Sequence, residues 1–116
     1  MLQWLCMSTT EEGKTLMETN RSEELLEYLC QGILTLQTLD ECKHFLEDLC
    51  TPSELAEMSR RLHAAKMLES NRIYTDIAEE TGLSTATISR VNRCLKYGSD
   101  GYVTVLERLD RKAKRG

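Results

Sequence analysis

Proline, tryptophan and phenylalanine each occur only once in 116 residues. With so few breakers and aromatics, leucine must supply most of the core, as it does in small helical proteins. No run of alternating Val, Ile, Thr and aromatic residues marks a strand, so the chain reads as all-α. No stretch approaches the roughly 20 apolar residues of a membrane span. The opening MLQWLCM is too short an apolar run for a secretory signal, and no basic residue precedes it. The five cysteines are odd in number and form no CxxC pair. That excludes a disulfide framework and a zinc site, and it suits a reducing cytoplasm. No glycine-rich phosphate loop is present. His44 and His63 are the only histidines, and neither has a neighbouring nucleophile or acid arrangement typical of activation. No catalytic residue and no metal ligand is therefore expected. Paired acids such as Glu23-Glu24 and Glu79-Glu80 read as solvated helix faces.

The chain is 41% hydrophobic and 29% charged, ordinary for one globular domain. Its net charge of −4 argues against nucleic acid until the distribution is considered. Residues 1–50 carry 3 basic and 10 acidic groups, and residues 51–116 carry 12 and 9. Such asymmetry marks an acidic half beside one able to face phosphate.

Residues 8–22, STTEEGKTLMETNRS, are polar. We read residues 1–21 as a disordered or extended segment, with Met7 and Met17 as further candidate starts. Residues 22–112 form the domain and residues 113–116 a basic tail. Ser22 is placed to cap a helix over residues 23–37. Its apolar residues pass more than half way round the wheel, so it needs more than one neighbour, and a second subunit is the expected one. Thr38 to Glu41 is a capping box, followed by an apolar stripe of Phe45, Leu46 and Leu49. Thr51-Pro52-Ser53-Glu54 is a stronger box, with proline at the first helical position. In the helix it opens, Leu55, Met58, Leu62, Ala65, Met67 and Leu68 are expected to face inward. A short helix follows over residues 74–81. Ser84 then caps a helix to about Tyr97, and a last helix runs from Tyr102 to about Lys112.

The segment Tyr74 to Arg93, YTDIAEETGLSTATISRVNR, fits a helix-turn-helix. That unit needs a small residue where two helices cross, a glycine in a left-handed turn, and apolar residues at fixed offsets. Ala78, Gly82, Leu83, Ile88 and Val91 fill those places, and Leu95 continues the stripe. The opposite face carries Thr85, Ala86, Ser89, Asn92, Arg93 and Lys96. Small residues in the first turn let the backbone approach base edges in the major groove, where hydroxyls bond bases and methyls touch thymine. Ser84 and Thr87 lie at the helix N-terminus, where free amides favour phosphate. Arg90, Arg93 and Lys96 reach the backbone or a guanine. The partner expected is double-stranded DNA. The rival expectation is a helical protein-interaction module without DNA binding, which salt dependence would separate.

Two segments, ECKHFLEDLCTPSELAEMSRRLHAAKML (Glu41 to Leu68) and TGLSTATISRVNRCLKYGSDGY (Thr81 to Tyr102), resemble the Trp repressor superfamily, most closely its YerC/YecD-type branch. The resemblance covers roughly residues 22–110. It implies an intertwined homodimer that represses transcription at a palindromic operator. It also implies a ligand site in which Arg61 and Arg90 flank an indole and Thr51 lies near the ligand amine. The chain departs from that pattern after Arg90, where Val91 replaces the glycine that leaves room for the indole. A packed site has no spare methyl-sized space. Tryptophan is therefore not expected as corepressor. The effector is another small molecule, or there is none and Arg61 and Arg90 contact phosphate.

Overall fold

The structure, a computed structural model, describes residues 14–115. Among them are six helices and no strand: α1 Lys14–Leu34, α2 Leu39–Leu49, α3 Pro52–Glu69, α4 Tyr74–Thr81, α5 Thr85–Tyr97 and α6 Gly101–Arg115. No helix among the described residues is long and apolar enough to cross a membrane. The chain divides between Asp48 and Leu49 into two units.

In the first unit, α1 begins at Lys14, so residues 14–21 are helical, not disordered or extended, and Ser22 lies inside the helix instead of capping it. No glycine or proline separates Lys14 from Ser22. A helix nucleated on the leucine-rich stretch therefore propagates backward, gaining one hydrogen bond per residue fixed. Residues 1–13 lie outside the described range. At the other end α1 stops at Leu34, short of the expected Gln37. The Thr35 hydroxyl donates to the Gly32 carbonyl at 2.6 Å, and the Thr35 and Leu36 amides close tight three-residue turns. The side chain thus offers the backbone an alternative to another helical turn. The Thr38 box forms in altered shape. Its hydroxyl accepts the Glu41 amide at 3.1 Å, but Glu41 reaches back to the amide of Gln37, not of Thr38. Among described residues 20–48 no side chain is buried. Tyr28 is 77% exposed and Leu34 83% exposed.

The second unit is built on α3. Thr51 accepts the Glu54 amide at 3.2 Å, and Glu54 accepts the Thr51 amide at 2.8 Å, so the box closes in both directions with Pro52 behind it. These bonds, the one to the Thr51 backbone first, hold the Glu54 carboxyl below the ordinary carboxylate range. The resulting stabilisation is full above the unfolded carboxyl's pKa and fades as pH falls through the lowered one. Thr51→Ala is expected to cost about 1 kcal/mol at neutral pH in urea unfolding. Because Glu54 loses its partners, the difference between parent and variant should shrink on acidification. A constant difference across the acid range would contradict the box.

Ala64 and Ala65 on α3 are both fully buried and serve two sides. Ala64 and Met67 meet Ile77, Leu83 and Ile88, with Leu68, Tyr74 and Ala78 packed around them. Ala65 meets Val91 and Leu106, with Leu62, Leu68, Leu95 and Tyr102 around them. Small residues at both crossings let α4, α5 and α6 approach α3 closely, since side-chain size sets interaxial distance. Met58, expected inward, is exposed, while Ala64, which was not singled out, is central. Helix α6 continues to Arg115, so residues 113–115 are helical and not a loose tail. Ion pairs Glu107–Arg111 and Asp110–Lys114 bind successive turns, and the terminal cations suit the negative end of the helix dipole.

Candidate nucleic-acid interface

Gly82 ends α4 at φ 76°, a left-handed conformation that a side chain would strain, and its amide donates to the Ala78 carbonyl at 2.9 Å. Leu83 then turns into the core. Ser84 caps α5: its oxygen accepts the Thr87 amide at 3.2 Å, and its hydroxyl donates to the Thr87 hydroxyl at 3.0 Å. Ile88 and Val91 are buried and Leu95 is half-buried, which fixes the rotation of α5. The sequence placed all of these correctly. The helix stops at Gly98 because a Cβ there would lie 2.3 Å from the Cys94 carbonyl oxygen, which instead takes the Gly98 amide.

That rotation presents Ser84, Thr85, Ala86, Arg90, Arg93 and Lys96 to solvent, with Ser89 and Asn92 half-buried at the flanks. Thr87 is half-buried and committed to the cap. No acidic residue lies in the first turn of α5, so the positive end of its dipole is not offset there. Among the described residues, Arg90, Arg93 and Lys96 form no ion pair, whereas Arg72, Arg111 and Lys114 do. The face therefore combines small side chains at the tip with uncommitted cations behind it, an arrangement suited to a polyanion.

The residues expected at a ligand site are not joined. Thr51 is occupied as the cap of α3, Arg90 is exposed, and Arg61 is half-buried with its Nε enclosed and unpartnered among the described residues. Tyr102 lies close enough for the Arg61 charge to act on its phenol. Burial, the larger influence, pushes that phenol above its ordinary range, and Arg61 opposes the rise. Val91 is 2% exposed and packed with Ala65 and Leu106, so its methyls are part of the core.

Two features escaped the sequence reading. Glu80, expected to be merely solvated, bonds His63 across 2.6 Å and braces α4 against α3, with Arg72 at 4.0 Å from its other oxygen. The partners are 17 residues apart, beyond any helical spacing that a sequence displays. The open groove beside them is lined by Arg72, Asp76, Glu79 and Glu80, none of them a nucleophilic hydroxyl or thiol. The second is Thr81, a buried polar side chain inside the turn. Its only sequence signal is its place directly before the turn glycine.

The family model for the Trp repressor protein matches residues 24–110. The uncharacterized protein YerC of Bacillus subtilis (strain 168) is 49% identical over 84 residues, 72% of this chain and 81% of YerC. The crystal structure of a TrpR-like protein from Eubacterium eligens ATCC 27750 superposes with a TM-score of 0.72 at 56% identity, covering 75% of this chain and 90% of that one. A candidate Trp repressor from Staphylococcus aureus superposes at 0.71 with 45% identity, covering 75% and 87%.

Proposed function

The chain belongs to the Trp repressor family, and on that premise we propose that it is a sequence-specific DNA-binding transcriptional repressor acting as a homodimer through α4 and α5. The observation that carries this reading is the exposure of Thr85 and Ala86 at the tip of α5 while Ile88 and Val91 hold the helix from behind. Each subunit lays Ser84–Lys96 in a major groove, with half-sites about one turn, roughly 34 Å, apart. Thr85, Ala86 and Ser89 meet base edges. Arg90, Arg93 and Lys96 meet phosphate or guanine. The exposed apolar residues of α1 and α2, Leu25, Tyr28, Ile33, Leu34 and Leu39, support a second subunit as their cover, since monomers rarely leave so much apolar surface in water.

The repressor acts without tryptophan, because the buried Val91 fills the space an indole would need. Selection of bound duplexes from a random pool, with and without tryptophan, tests both statements. A palindromic motif indifferent to tryptophan is expected. A gain with tryptophan would mean that Val91 yields, and an unselective pool would mean that α5 does not read sequence.

Arg93→Ala is expected to weaken binding of the selected duplex about tenfold. A loss confined to one base pair assigns Arg93 to a base. A uniform loss with a salt slope shallower by about 1 assigns it to phosphate. Binding equal to the parent would remove Arg93 from the interface.

A further inference from the structure

Thr81 is 6% exposed, and its hydroxyl makes two bonds across the corner of the helix-turn-helix. It donates to the Ile77 carbonyl at 2.6 Å and accepts the Leu83 amide at 3.2 Å. The turn closes by one backbone bond, Gly82 to Ala78, and that pattern leaves the next amide, that of Leu83, outside the helix. A buried amide without a partner is costly, so the hydroxyl stands in for the missing carbonyl. Leu83 packs in the same cluster as Ile77 and Ile88, and Ser84, the cap of α5, follows it directly. One hydroxyl thus links the last turn of α4, the plug of the turn and the start of α5.

We propose that Thr81 is a positioning residue for DNA reading: its hydroxyl sets the angle at which α5 leaves α4, and with it the placement of Thr85 and Ala86 against base edges. This inference rests on the DNA-binding reading above. The geometry gives it a specific consequence. Phosphate contacts by long, flexible cations tolerate a small rotation of α5, while close approach by short side chains does not. Loss of the hydroxyl should therefore lower sequence discrimination more than general affinity for DNA.

Thr81→Val keeps the shape and removes both bonds; Thr81→Ser keeps both bonds. Each is titrated against the selected duplex and an unselected random duplex at a temperature where circular dichroism matches the parent. Exchange of the Leu83 amide is followed by NMR in the free protein. Thr81→Val should lose about tenfold on the selected duplex and under about twofold on the random one, with faster Leu83 exchange. Thr81→Ser should match the parent in all three. If the parent binds the selected duplex and Thr81→Val binds it equally well, or loses equally on both duplexes, the positioning role is overturned while the DNA-binding reading stands. If the parent binds neither duplex, that reading fails and the inference falls with it. Should Thr81→Val not fold, Leu83 exchange in the parent decides: protection supports the bond, and exchange at the rate of an open amide overturns it.

Discussion

Ala86→Glu is expected to abolish binding of the selected duplex while leaving the fold intact. Ala86 is exposed in the first turn of α5 and touches neither core cluster. A glutamate there holds the helix away from base edges and sets a negative charge beside phosphates. Like-charge juxtaposition in an interface costs several kcal/mol, so the loss should be about a hundredfold or more. The same charge lies at the positive end of the helix dipole, where it stabilises a helix by a few tenths of a kcal/mol. Stability and binding are therefore expected to move in opposite directions. Thermal unfolding and duplex titration of the same sample check both. Undiminished binding would mean that the tip of α5 does not enter the groove.

The second large effect lies on the opposite face of the same helix. Ile88 is fully buried among Ala64, Met67, Ile77 and Leu83. Ile88→Ala removes its contacts and leaves a cavity between α3, α4 and α5, at a cost of about 2–5 kcal/mol. For a domain of this size each kcal/mol lowers the melting temperature by about 4–8 °C, so a fall of roughly 10 °C or more is expected. Total stabilities of about 5–15 kcal/mol leave little margin for such a loss. Thr85→Ala, one turn earlier and outward, should stay within about 0.5 kcal/mol of the parent. Equal melting temperatures for the two variants would contradict the assigned rotation of α5.

That rotation was legible in the sequence because its signals are local. Gly82 needs a left-handed turn, Ser84 is a cap, and Ile88 and Val91 share a stripe three residues apart. The Thr51-Pro52-Ser53-Glu54 box was legible for the same reason. What escaped depends on partners far apart in the chain or on competition between neighbouring signals. Ala64 became central because three helices converge on α3, a fact that no periodicity in α3 reveals. His63 and Glu80 meet only once α4 has folded back. The start of α1 was misplaced because Ser22 is a good cap in isolation, yet nothing upstream of it stops the helix before Lys14. The Arg61 and Arg90 pair came from family resemblance, and the buried Val91 between their segments gives it another meaning. Here the cations serve a DNA-facing domain whose indole slot is occupied by its own core.

The most direct test of the account is the salt dependence of duplex binding by the purified protein. Six phosphate contacts, from Arg90, Arg93 and Lys96 of two subunits, would give a slope of log affinity against log salt of about −5. A slope between roughly −3 and −6, unchanged by tryptophan, is the result predicted for a dimer reading DNA through α5. A slope near zero, or no binding even at low salt, would contradict it. The exposed leucines of α1 and α2 would then be the working surface of a protein-binding module.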